Sequence, residues 1–190
     1  MYYFLIPLYL GFAFNLASVF TAAYSLRWGK RAGTLITFAL RNILGIPVWA
    51  TGFVMAVNEP AGSFFHVSLP LQVTGWLIIT TGVVLIIVAL VFIRIKASAP
   101  AVGNSLVRTG IYSRVRHPIY SGTILQFIGI FVLWPSVCVG IASVSGLVWI
   151  YLLSVFEERD LVIRIPEYRD YMKEVPRFIP GSGLSDINCE

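Results

Sequence analysis

The chain has 190 residues, of which 57% are hydrophobic and only 12% charged, about half the ~25% charge content usual in soluble domains. That leaves too little polar surface to cover a water-soluble globule of this size, so the surplus apolar surface must face lipid. The net charge of +5 does not point to nucleic acid, because the basic residues sit in the loops between apolar runs.

A membrane crossing takes about 20 apolar residues rising 1.5 Å each. Five spans are expected, at about 3–26, 33–57, 69–93, 119–133 and 137–156, giving an all-α integral membrane protein of one domain. The N-terminal run, MYYFLIPLYLGFAFNL, has no positive flank and no small-residue cleavage site, so it is read as a retained helix. The apolar stretch from Ile119 to Phe156 is too long for one helix. Trp134-Pro135-Ser136 interrupts it, and proline removes a backbone donor and blocks continuation, so a tight hairpin is expected there. The small residues Gly140, Ala142, Ser143, Ser145 and Gly146 let a neighbouring helix approach the fifth span closely. Cys138 and Cys189 have neither metal-ligand spacing nor the numbers for a disulfide framework.

Lys and Arg in the loops set orientation. Arg27, Lys30 and Arg31 occupy the first loop, and Arg94, Lys96, Arg108, Arg114 and Arg116 the third. The tail after Phe156 holds Arg159, Arg164, Arg169, Lys173 and Arg177, whereas the second loop and the Trp134 turn hold no Lys or Arg. This alternation predicts an N-terminus outside and a C-terminus in the cytoplasm. Arg41 alone falls inside a span, where a charge costs at least ~2.5–3.5 kcal/mol. It must snorkel, pair with a carboxylate or face a cavity; helix packing with its donors on backbone carbonyls is the plainer reading.

Nearly all residues capable of chemistry lie in two cytoplasmic segments, 94–118 and 157–181. The hairpin brings the end of the first near the start of the second, so Arg116, His117 and Tyr120 should approach Glu157 and Glu158. Thr109-Gly110 signals a turn. Pro118 suits a helix's first turn, which puts His117 at an N-terminus that favours anions. Taken singly, these features also fit a lipid-headgroup anchor, a helix cap and solvated charge.

Their combination is more specific: Gly110-x-Tyr112, Arg116-His117-Pro118-x-Tyr120-x-Gly122, the hairpin, Glu157-Glu158, Glu167-Tyr168-x-x-Tyr171 and Val175-Pro176-x-x-x-Pro180. Over about 69–180 the chain resembles the isoprenylcysteine carboxyl methyltransferases and the related phospholipid methyltransferases. The resemblance implies S-adenosylmethionine as cofactor, with S-adenosylhomocysteine as product. It implies cofactor contacts at Asn104, Ser105, Leu106, Val107, Tyr112, His117, Pro118, Ile119, Tyr120, Glu158 and Glu167; many relatives carry histidine where this chain has Asn104. Arg164, or Arg159 if the register slips, would orient the acceptor carboxylate, and Arg164 and Glu167 are the catalytic candidates.

Methyl transfer to a carboxylate needs alignment and desolvation but no general base. A phospholipid amine needs a base, for which Glu158 or Glu167 is available. The expected acceptor is a lipophilic carboxylate such as that of an isoprenylated cysteine, entering from the bilayer, with membrane lipids and no nucleic acid as partners. Membrane sterol reductases, which use NADPH, carry a similar region and are the rival enzyme class. A non-catalytic scaffold or transporter is the third reading; a transporter should place polar features at the midplane.

Overall fold

The first expected span is two helices. In the computed structural model, which describes residues 2–93 and 106–181, α1 (Leu5–Ala17) and α2 (Thr21–Trp28) meet at a 60° bend. Ser18 explains the break. Its hydroxyl donates to the Asn15 carbonyl at 2.6 Å, a local bond that competes with the helix ladder. The new helix start is satisfied from far along the chain, because the Ala22 N–H donates to Asp160 Oδ1 at 3.0 Å.

Gly29, at φ 86°, turns the chain into a long helical stretch, Lys30–Asn58. It comprises α3 (Lys30–Phe38), a π-helical segment (Ala39–Gly45) and α4 (Ile46–Asn58). The wide segment lies just before Pro47, whose ring would crowd the carbonyl four residues back. Widening the turn relieves that clash, and π turns of this kind often mark functional positions.

α5 (Leu69–Ile93) and α6 (Pro118–Leu133) fall close to the expected limits. They pack through glycines: a β-carbon on Gly82 would lie 2.5 Å from the Gly122 carbonyl oxygen, and one on Gly129 would lie 3.0 Å from that of Gly75. The outer face of α5, including Leu77, Val84, Ile87 and Val91, is exposed, as a lipid-facing surface should be. The Trp134–Ser136 turn pairs with the α4–α5 loop: the Phe64 N–H donates to the Pro135 carbonyl at 2.7 Å and the Val137 N–H to that of Gly62 at 3.3 Å. The two loops without Lys or Arg therefore lie together.

α7 (Val137–Arg164) runs eight residues beyond its expected end at Phe156. Charged residues there are compatible with a helix, and the first true stop is Pro166, which disfavours α conformation at Ile165. A short α8 (Tyr168–Glu174) follows. Phe4, Leu8, Phe12, Phe53, Phe127, Val139 and Ile150 form the core between α1, α4, α6 and α7. Phe53 stacks on Phe127 at 4.7 Å between centroids, and Phe12 on Trp149 at 4.4 Å.

The described residues are helical and contain no β-strand. Three helices, Lys30–Asn58, Leu69–Ile93 and Val137–Arg164, are long and apolar enough to cross a membrane, and the bent α1–α2 pair makes up to four. The chain is a multi-pass membrane protein. α6 is apolar but only 16 residues long, so the expected five crossings are not all matched by helices of spanning length. The glycine contact yields a prediction: Gly82→Val should cost about 1–3 kcal/mol through overpacking, lowering the unfolding midpoint in detergent. Gly62→Ala, where an added carbon meets nothing within 4 Å, should leave that midpoint unchanged.

Candidate active site

Adjacent glutamates on α7 point into different surroundings. Glu158 is buried and grips the start of α6 and the tail together. Its Oε1 lies 3.0 Å from His117 Nε2 and 3.1 Å from Arg116 Nε, while Arg177 donates to Oε1 at 3.2 Å and to Oε2 at 2.7 Å. The backbone follows: the Arg116 N–H donates to the Pro176 carbonyl at 2.9 Å and the His117 N–H to that of Arg177 at 3.0 Å. Ser121 Oγ donates to the Phe178 carbonyl at 2.7 Å. The tail is thus laced across the beginning of α6, and the expected proximity of Arg116, His117 and Tyr120 to the glutamate pair holds.

Glu157 faces a cavity of about 700 Å³, within the ~300–1,000 Å³ typical of small-molecule sites. Its carboxylate accepts a hydrogen bond from the Tyr120 hydroxyl and pairs with Arg41 Nη2 at 3.4 Å. The Tyr120 ring lies flat against that of His117, with centroids 5.2 Å apart. Arg41 Nε also donates to Ser18 Oγ at 3.2 Å, so the charge inside the second span is met by a carboxylate and a hydroxyl.

Leu106, Val107, Tyr112, His117, Pro118, Ile119, Tyr120 and Arg164 all line this cavity. Glu158 does not line it and stands behind His117 in the clamp. Glu167 is exposed at the N-terminal end of α8, where its carbonyl accepts from Arg108 Nη2 at 3.0 Å, and it is not among the lining residues. Asn104 and Ser105 lie outside the described residues. Arg164 is buried and donates through Nε to Asp160 Oδ2 at 2.6 Å, while Arg159 is exposed and lies over the Phe156 ring. The sequence reading assigned no role to Asp160 or Arg177 and left Arg41 open; only the intramembrane charge of Arg41 signalled a site.

α8 closes the cavity from outside. The Tyr171 hydroxyl donates to the Tyr112 carbonyl and Arg116 Nη1 to that of Met172 at 2.7 Å. Burial pushes the Tyr171 hydroxyl up to about 12 and raises those of Tyr112 and Tyr168 as well, so all three remain neutral at physiological pH.

A model of the phospholipid methyltransferase family matches residues 70–167, just over half of the sequence. The chain belongs to that family. Membership indicates a membrane methyltransferase, and phospholipid methyltransferase family members generally use S-adenosylmethionine. The chain is also similar to the cobalt-zinc-cadmium resistance protein CzcN of Cupriavidus metallidurans, with 31% identity over 82 residues. That stretch is 43% of this chain and 38% of CzcN, so the chain matches little more than a third of that relative's length. No solved structure matches it. The matched region of this phospholipid methyltransferase family member takes in α6, the glutamate pair and Arg164; Arg41 and the tail clamp at Arg177 lie outside it.

Two outcomes follow from this geometry. Glu158→Ala leaves buried cations without their carboxylate and should cost roughly 3–5 kcal/mol, seen as a lower unfolding midpoint and faster proteolysis of the tail. Tyrosines ionise near 10 when unfolded, below their folded values here. The contribution of Tyr171 to stability is therefore complete below about pH 10 and lost as pH rises through about 12. Unfolding followed in detergent across that range should show the loss, and Tyr171→Phe should reduce its slope.

Proposed function

We propose that this protein transfers a methyl group from S-adenosylmethionine to a lipophilic carboxylate, and that it crosses the membrane five times with the cavity on the cytoplasmic side. The observation that carries the acceptor assignment is the engagement, among the described residues, of every carboxylate near the cavity. Glu157 is held by Arg41 and Tyr120, Glu158 by His117, Arg116 and Arg177, and Asp160 by Arg164 and the Ala22 N–H. Glu167 is exposed and away from the lining. An ammonium acceptor needs a base to take its proton, and these groups are already committed to cations or donors. A carboxylate acceptor is ionised at neutral pH and needs none.

The cavity's residues suit the cofactor. Its wall combines aromatic faces (Tyr112, Tyr168) with apolar side chains such as Leu106 and Ile165, surfaces that accommodate an adenine ring. The first turn of α6 (Pro118, Ile119, Tyr120) lines it too, and backbone N–H groups at a helix start favour a carboxylate. When bound, S-adenosylmethionine supplies an electrophilic methyl group: the acceptor oxygen bonds to that carbon, the carbon–sulfur bond breaks, and its electron pair stays on sulfur as a neutral thioether. The protein then has no proton to move. Its residues hold both partners in line and exclude water, which is where the rate advantage of such a displacement arises.

Sidedness rests on the alternation of basic and bare loops. The short α6 reaches across if it is flanked by locally thinned bilayer.

A titration and an assay test this reading. S-adenosylhomocysteine should bind the purified protein and NADPH should not. With labelled methyl donor, S-farnesylcysteine should become a base-labile methyl ester. Label appearing on phosphatidylethanolamine instead would move the assignment to amine methylation, and NADPH binding without S-adenosylhomocysteine binding would overturn it.

A further inference from the structure

Charged side chains around the cavity differ in how far they are withdrawn from it. Those of Arg116, Glu158, Arg164 and Asp160 are 2%, 3%, 2% and 6% exposed, whereas Arg41 and Glu157 keep 11% and 15%. The deeply buried pairs are short, at 2.6 to 3.1 Å. The Arg41–Glu157 contact is longer, at 3.4 Å, and both of its members line the cavity, whereas Arg108 on the lining pairs outward with the exposed Glu174 at 3.6 Å. Arg41 comes from the π-helical segment, and its stem is fixed by Ser18 at the break between α1 and α2. Two irregularities of the N-terminal half therefore converge on one guanidinium, in a part of the chain that the family model does not cover. Holding a charge within a span is costly, and neutralising Glu157 alone does not require that the pair face open space.

We propose that Arg41 is a specificity-determining residue that binds the anionic group of the methyl acceptor, with Glu157 as its resting partner. This rests on the methyltransferase reading above. A guanidinium presents paired donors that fit a carboxylate in one plane. Arg41 Nε stays on Ser18 while the terminal nitrogens exchange the long contact with Glu157 for the acceptor. Glu157 keeps the Tyr120 hydroxyl as donor through that exchange. Arg164, nearly buried and committed to Asp160, acts as part of the wall. The family resemblance assigns the corresponding role to Arg164, or to Arg159 if the register slips.

The test uses the full chain in nanodiscs with labelled S-adenosylmethionine, N-acetyl-S-farnesylcysteine as acceptor and its carboxamide as a neutral competitor. Arg41→Gln should raise the acceptor KM about 10- to 100-fold, the range for losing a charge-assisted hydrogen bond. Affinity for S-adenosylhomocysteine should stay within about twofold. Wild type should bind the carboxylate much more tightly than the carboxamide, and Arg41→Gln should abolish that preference. Arg41→Lys should recover part of it, because charge returns without the planar fork, and Ser18→Ala should raise KM less than Arg41→Gln. An unchanged preference in Arg41→Gln would overturn the proposal, as would a loss of cofactor affinity that matches the loss of acceptor affinity. Wild type lacking cofactor binding would instead strike the methyltransferase reading, which separates the two failures.

Discussion

Three cationic or ring-nitrogen donors from two separate segments close on the buried carboxylate of Glu158, and the geometry of the cavity depends on that clamp. A carboxylate withdrawn from water is costly unless its lone pairs are filled, so the contacts are mutually obligatory. Once His117 is held through Nε2, its ring is fixed flat against Tyr120, and Tyr120 in turn delivers its hydroxyl to Glu157. Successive residues on a helix lie about 100° apart. That rotation puts Glu158 in the structural layer and Glu157 on the cavity, so neighbouring identical residues carry different duties.

The apolar runs were legible because burial in lipid demands length and hydropathy: α5, α6 and the start of α7 fall within a residue or so of their expected limits. The juxtaposition of Arg116, His117 and Tyr120 with the glutamate pair followed from one hairpin. What the sequence hid depends on contacts between remote residues. No local signal says that Asp160 will accept the Ala22 N–H and so stabilise a break in the first span. The end of α7 was misjudged because hydropathy falls after Phe156 while helix-forming tendency does not. Glu167 had the right spacing for a site residue, yet α8 turns its side chain outward and uses its carbonyl to hold Arg108.

Asp160 gives the break in the first span a consequence. One oxygen satisfies the start of α2 and the other holds Arg164, so the position of a cavity-lining arginine is tied to the N-terminal helices. Ser18, a few residues earlier, ties the same region to Arg41. A straight α1–α2 helix would bury the Ala22 N–H in its own ladder and withdraw the partner that orients Asp160. The bend is thus part of what shapes the cavity, though it lies in a segment with almost no charged residues of its own.

These ties divide the molecule by task. Residues 70–167, the region shared with the family, supply the first turn of α6, the paired glutamates and Arg164, while Arg177 from the tail and Arg41 from the N-terminal half complete the charge balance. The N-terminal helices contribute Asn15, Arg41 and Trp49 to its remaining wall. The clamp on Glu158 and the Arg164–Asp160 pair discriminate poorly among ligands, because a buried pair gains nothing from a newcomer that it must first release a partner to meet. Discrimination then falls to Arg41–Glu157, the looser pair with both members on the cavity wall. Its cation lies on the N-terminal side, so a change of acceptor in this fold is most readily made there, without disturbing the clamp on Glu158.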